Sequence, residues 1–353
     1  MTYPYCINVD WLQVFCSDRN HHRLDFIYND FHEYEFILRP ATSRHFGEIW
    51  DVRTIDGDDF AVIQRKPLSK ILADDAAIIQ LCNRELYRAG FALKFYVWLS
   101  RHKFTYKSIS RIDLCFDSNL WAHGLKPSNF VNRFLKGEYL MNSKTRLSMN
   151  FTINAAMKNG FDMNSFSFGS KTSPVFTRLY NKTKELAEVK MKPYIVECWE
   201  YNGLDTSQDV WRIEFAIKSD GAKMIHLSTG ELFRLDIGQL RFQAEVEDIF
   251  FAYADKYFEW KINDGKKNKT RMKNLEIFPK ERCRTLRPIR MTSATDSTRA
   301  DRIFLKKIEE YIRQLHDVDP EAEDALRHVS DIVAYDKMLI KWRNQKFYKS
   351  KEK

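Results

Sequence analysis

The chain has 353 residues, of which 44% are hydrophobic and 14% aromatic. That excludes a disordered chain and supplies core material for two or three domains. Lys and Arg number 57 against 48 Asp and Glu, a net charge of +9, but the excess is unevenly placed. Residues 1–260 are balanced, with 33 charges of each sign, whereas residues 261–291 carry eleven basic and three acidic side chains. Residues 337–353 carry seven and one, and residues 292–336 lean the other way with six and eleven. Two basic segments beyond residue 260 predict a phosphate-rich partner; a solvated basic linker and tail is the plainer use of the same charge. No apolar run approaches the ~18 residues of a membrane helix, and the N-terminus lacks a basic-then-apolar leader. A soluble, cytoplasmic protein is expected, with no membrane partner.

Taken in chain order, the first 70 residues read as strands: an apolar run through Ile7, Val9, Trp11 and Val14, then 34–38, 49–52 and 60–63, with Gly57 in a turn. Residues 76–82 suit another strand, and a helical stretch opens at Asn83 and runs to about His102, with Gly90 its weak point. Strand alternation returns over 110–117, followed by a helix from Lys126 with Pro127 in its first turn. Residues 149–153, 165–169 and 175–181 read as successive strands, 183–190 as a short helix, 210–218 as the clearest late strand, and 240–259 as an amphipathic helix. With few strand–helix alternations, the pattern predicts an α+β fold, a strand-rich domain with a central antiparallel or mixed sheet flanked by helices. Residues 261–299 have the composition of a basic arm or linker, and 300–353 read as a helical hairpin ending in a basic tail.

The six cysteines form no C-x-x-C pair, and most lie in apolar runs, so they read as small buried hydrophobes in a reducing compartment. The histidines offer no His-x-His or His-x-x-x-His spacing for a metal.

Three segments carry candidate chemistry. In Arg111-Ile-Asp113-Leu-Cys115-Phe-Asp117 the two aspartates share a strand face with Cys115. Four extended residues span roughly 13 Å, too far for both carboxylates to hold one ion on a straight strand. Asp113 is the better ligand candidate, its alternative use being an ion pair with Arg111. In Arg178-Leu-Tyr180-Asn-Lys182 a tyrosine stands between two cations on one face. A phenol titrates near pH 10 and attacks poorly without help; flanking positive charge favours phenolate and attracts a phosphodiester. A half-buried structural tyrosine is the alternative. In Trp211-Arg212-Ile-Glu214, Glu214 could join Asp113 at a metal or act as a base on Tyr180, or form a surface pair with Arg212.

Together these segments resemble the replication initiation factor family, the tyrosine nickases of rolling-circle plasmids with relatives in filamentous phages and conjugative elements. The resemblance spans about residues 5–260, with Ile7-Asn-Val-Asp10-Trp-Leu, Asn83-Arg-Glu-Leu-Tyr87 and Ser165-Phe-Ser-Phe-Gly169 falling in the family's order. It implies that Tyr180 is the nucleophile, assisted by Arg178 and Lys182, and that Asp113, Glu214 and Asp10 hold Mg²⁺ or Mn²⁺. Asn181 stands where relatives often have aspartate. The implied activity is nicking and rejoining of origin DNA through a 5′-phosphotyrosine, in a bacterial cytoplasm, with a host helicase and a second copy as further partners. The origin would be single-stranded at the nick and duplex nearby; outside the resemblance, the charge of the basic arm assigns the grip on duplex to Lys266, Lys267, Lys269, Arg271, Lys273, Arg282 and Arg284. Two rivals share the scaffold: a DNA-binding control protein without catalysis, and a metal-dependent nuclease that uses water.

Overall fold

The computed structural model describes residues 3–20, 33–68, 72–141, 147–153, 161–266, 268–279 and 285–289. Its frame is one ten-stranded sheet. In chain order the strands are β1 (Cys6–Asp18), β2 (Tyr34–Leu38), β3 (Phe46–Thr54), β4 (Asp59–Pro67), β5 (Ala76–Leu81), β6 (Phe104–Ser118), β7 (Tyr139–Met141), β8 (Leu147–Ile153), β9 (Phe161–Phe168), β10 (Val175–Asn181) and β11 (Trp211–Lys218). The short strands β12 (Lys223–His226), β13 (Leu232–Arg234), β14 (Trp260–Ile262), β15 (Asn274–Leu275) and β16 (Leu286–Pro288) form two small sheets, in one of which β14 pairs with β7. The helices are α1 (Asn83–Leu86), α2 (Phe91–Arg101), α3 (Pro127–Leu135), α4 (Lys182–Glu188), α5 (Pro193–Tyr201) and α6 (Gln243–Tyr257). None of the described helices is long and apolar enough to cross a membrane. The α+β expectation holds.

The large sheet runs β2-β3-β4-β5-β1-β6-β11-β10-β9-β8, and its pairings are antiparallel. β2 to β5 fold back as a meander onto β1, and β8 to β11 fold back onto β6. This topology sets β1, β6, β11 and β10 side by side, so residues far apart in sequence become neighbours, Cys6 opposite Asp117 and Asp117 opposite Arg212.

Alternation gives these four strands one apolar and one polar face. Ile7, Val9, Leu12 and Val14 on β1, Ile112, Leu114 and Phe116 on β6, and Ile213, Phe215 and Ile217 on β11 are buried in the main core. Helix α6 adds Val246, Ile249, Phe250 and Tyr253 to that core. The Phe250 ring lies 5.7 Å from Phe116 and 5.2 Å from Phe215. Burying one such ring contributes about 1.5–3 kcal/mol. Helix α2 covers the other half, with Trp98 packed on Phe36 and Phe60.

Two local expectations change. The stretch 83–102 is two helices, because Gly90 takes φ +72°, a left-handed conformation that interrupts the helix. Residues 193–201 form a helix not predicted from the sequence, although Pro193 in its first turn and Ile195 and Trp199 four apart are helix signals. Past residue 260 the chain stays in the same compact unit: Met272, Ile277 and Phe278 are buried, and that unit runs to Arg290. Lysine-rich composition hid a few well-spaced apolar anchors. The remainder of the predicted linker, to 299, and the predicted hairpin over 300–353 lie outside the described residues.

Candidate active site

The polar face of β1, β6, β11 and β10 carries the candidate chemistry. Arg178 and Tyr180 share a face as their spacing predicts, while Lys182 falls past the strand as the first residue of α4, and antiparallel register sets Arg178 opposite Glu214 and Tyr180 opposite Arg212. Across the other edge of β11, Glu214 faces Cys115 and Arg212 faces Asp117, with Asp113 one pair further along. On β1 the register slips between Val9 and Trp11. That bulge inserts Asp10 as an extra residue, so both Asp10 and Trp11 turn to the polar face while Val9 and Leu12 stay in the core.

Tyr180 is only 7% exposed, and its phenol donates a 2.7 Å hydrogen bond to Glu214 Oε2. Arg178 bonds the other oxygen of Glu214. Its guanidinium also sits 5.4 Å from the Tyr180 ring centre, and Lys182 Nζ sits 5.6 Å from it. Lys182 opens α4, pairs with Glu185 and is itself buried. Burial, then the Glu214 carboxylate, raises the Tyr180 phenol well above its ordinary value, although Arg212 and Arg178 pull the other way. The flanking cations therefore do not make a resting phenolate, contrary to the expectation from charge alone. Desolvation outweighs them.

Asp113 takes the ion pair that was its alternative use. Arg111 donates to it from Nε at 2.8 Å and from Nη2 at 2.6 Å. Burial first, then neighbouring Glu214, raises the Asp113 carboxyl to about 6, with Arg111 opposing. The Arg111 guanidinium also stacks 4.8 Å from the centre of the Trp11 ring.

Arg212 forms no surface pair with Glu214. It is fully buried and grips Asp117 through Nε and Nη2, both at 2.6 Å, while Nη1 lies 2.8 Å from Asp10. Trp199 Nε1 from α5 donates a third bond to Asp117 at 2.7 Å. Asp10 accepts from Tyr87 at 2.8 Å and from Asn83 at 3.2 Å, and Tyr194 reaches back to Asn83 at 2.6 Å. Burial opposes ionisation of Asp10, but Arg212, Lys182 and these two donors hold its carboxyl well below the usual range. A buried guanidinium with two carboxylates and a tyrosine thus fastens β1, β6, β11, α1 and α5 together. Sequence reasoning missed this hub; Asn83 and Tyr87, one helical turn apart, were its only visible trace. Asn181 acts as a helix cap, accepting from the Lys184 backbone N–H at 3.1 Å.

A divalent ion on Asp113, Glu214 and Asp10 requires their lone pairs to converge. Among the described residues no three His, Cys, Asp or Glu side chains are grouped to do so. Each of the three acids is instead closed by its own guanidinium, and Asp10 belongs to the Arg212 hub. Two buried N–H groups at this face, Arg178 Nε and Trp11 Nε1, lack an acceptor; such groups suit an anion better than a cation. The donor set does not fit the predicted Mg²⁺ or Mn²⁺, and no step below runs through one.

No protein-family profile matches this chain, and no curated relative matches it. Among solved structures, the rolling circle replication initiator protein from Geobacillus stearothermophilus is similar to it, with a TM-score of 0.49 and 15% identity. The alignment covers 77% of this chain and 93% of that one.

Of the seven residues expected to grip DNA, Lys266, Lys269, Arg271 and Lys273 are exposed on the loop between β14 and β15. A single 3₁₀ turn, Lys269–Arg271, holds this loop and is capped by Asn268, which accepts from the Thr270 N–H at 3.0 Å. Lys266 pairs with Asp264 at 2.5 Å. Lys267, Arg282 and Arg284 lie outside the described residues.

Proposed function

We propose that this protein nicks and rejoins a DNA strand through a covalent bond to Tyr180, as an initiator of rolling-circle replication or of mobile-element transfer. The observation that carries this reading is the 2.7 Å hydrogen bond from the Tyr180 phenol to Glu214, a nucleophile already set on a base. The phenolic proton passes to Glu214 as the phenolate oxygen attacks phosphorus. The bond from phosphorus to the 3′ oxygen breaks, leaving a 5′-phosphotyrosine and a 3′ oxygen that takes up a proton. Attack by a 3′-hydroxyl reverses the step and reseals the strand, because the ester conserves the bond.

Arg178 suits the scissile phosphate. Its side chain is 41% exposed and its buried Nε has no acceptor, so it can keep Glu214 and still offer an N–H to a phosphate oxygen. The Lys266–Lys273 loop supports salt-dependent attachment to nearby duplex. The depth of Tyr180 favours a flexible single strand at the site over a stiff duplex.

Supercoiled DNA of the replicon that encodes the protein is the substrate to use, analysed on SDS gels. Wild type should convert it to nicked circles carrying attached protein, and Tyr180→Phe should bind DNA without nicking. The burial of Tyr180 favours one rival, a DNA-binding protein in which the tyrosine is structural. If wild type and variant both bind and neither nicks, that rival is correct.

A further inference from the structure

The polar face carries a second chemical feature that the nicking reading does not use. Cys6 begins β1 and Cys198 lies on α5, and both pack in a small apolar cluster with Leu186, Ile195, Trp199 and Val210. Cys198 packs against the cluster that holds Cys6, close enough that each thiol shifts the titration of the other. Two amides also point at that sulfur, Asn8 Nδ2 at 3.4 Å and Asn202 Nδ2 at 3.7 Å. The strand and the helix are tied at this point: Asn8, two residues from Cys6 on the same face of β1, reaches the Cys198 sulfur, and Asp117, opposite Cys6, is bonded by Trp199, the residue after Cys198.

Two amide donors on one sulfur, with a second thiol beside it, favour the thiolate. The neighbouring Cys6 first, and then Asn8, lowers the Cys198 thiol to about 7, against the opposing effect of burial. Burial raises Cys16 and Cys82 to about 12 and Cys115 well above its ordinary value. Cys198 and Cys82 are half-buried, whereas Cys6, Cys16 and Cys115 are buried. Of the two reachable thiols only Cys198 is activated, and Cys6 lies in the cluster it packs against.

We propose that Cys198 is a peroxide-reactive thiol and that Cys6 is its resolving partner, so that oxidation joins β1 to α5 by a disulfide. In the first step the Cys198 thiolate attacks a peroxide oxygen and the O–O bond breaks. With hydrogen peroxide this leaves a sulfenic acid and hydroxide. In the second, the Cys6 sulfur loses its proton, attacks the Cys198 sulfur and displaces water. The two sulfurs lose two electrons in total, which reduce the peroxide, and a dithiol reductant reverses the change. The new bond would fix α5, which supplies Trp199 to Asp117 and Tyr194 to Asn83, over the Arg212 hub.

The test uses the reduced full-length protein and hydrogen peroxide, read by mass spectrometry of non-reduced peptides. The expected product is a Cys6–Cys198 linked peptide with two hydrogens lost, restored by dithiothreitol. Cys6→Ser should instead accumulate a dimedone-trappable sulfenic acid at Cys198, and Cys198→Ser should give neither. Wild type alone supplies a check free of folding effects: brief alkylation near neutral pH should mark Cys198 before Cys16, Cys82 and Cys115. Peroxide-treated wild type with no Cys6–Cys198 peptide, or Cys198 alkylated no faster than those three, would overturn the proposal. None of these readouts depends on nicking.

Discussion

Replacing Asp117 by Asn probes the hub that holds the candidate site together. Asp117 and Arg212 are both fully buried, and the carboxylate accepts two bonds from Arg212 and one from Trp199. Asn keeps the shape but removes the charge and turns an amide N–H toward guanidinium or indole donors. Breaking one side of a buried ion pair costs about 3–5 kcal/mol, because the remaining charge stays desolvated. Arg212 keeps its 2.8 Å contact with Asp10, which places the expected loss toward the lower end of that range. Asp51→Asn is the control, since its partner Arg39 is 45% exposed and such pairs contribute only about 0–1 kcal/mol. Urea unfolding followed by tryptophan fluorescence and by circular dichroism gives both losses on one scale. Equal, sub-kilocalorie losses in Asp117→Asn and Asp51→Asn would refute the hub.

Glu214→Gln retains a partner for the Tyr180 phenol but no base, so single-turnover nicking should slow by about 10²–10⁴-fold while DNA affinity is kept. Asp113 holds its proton to about pH 6 in the fold, against 3.8 for the ordinary group. Its contribution favours the fold fully below 3.8 and is lost as pH rises through 6. Unfolding of Asp113→Asn, measured from about pH 4 to pH 8, should therefore shift in the variant's favour relative to wild type by up to about 3 kcal/mol, levelling off above the folded value. Magnesium at millimolar concentration should leave the thermal midpoint of wild type unchanged, since guanidinium groups already hold the acids. It should raise the midpoint of a double Arg111→Ala, Arg178→Ala variant, in which Asp113 and Glu214 adjoin with no cation between them.

The strands of the site were legible because a period of two survives in them: Arg178 and Tyr180 fall on one face, as do Arg212 and Glu214. Local pattern could not show which strands become neighbours, and the meeting of β1 with β6 and β11 with β10 is a long-range outcome. It also misjudged Arg212. A charged residue in a strand reads as surface, and only the tertiary fold supplies the two carboxylates that allow it to be buried. Asp10 was legible as a residue type but not in its place, because a bulge re-aims it and no strict alternation anticipates one. The docking of the chain after residue 260 was not legible for a different reason. Lysines dominate its composition, while Ile277 and Phe278, which dock it on the core, are two residues in a long basic stretch.

The central claim is that the Tyr180 oxygen forms the bond to DNA. Incubating the full-length protein with supercoiled DNA of its own replicon, digesting both, and locating the nucleotide-bearing peptide by mass spectrometry tests it directly. The expected result is a nucleotide 5′-phosphate on Tyr180 in wild type and none in Tyr180→Phe. An adduct on another residue, or nicked DNA with a free 5′ end and no adduct at all, would contradict it.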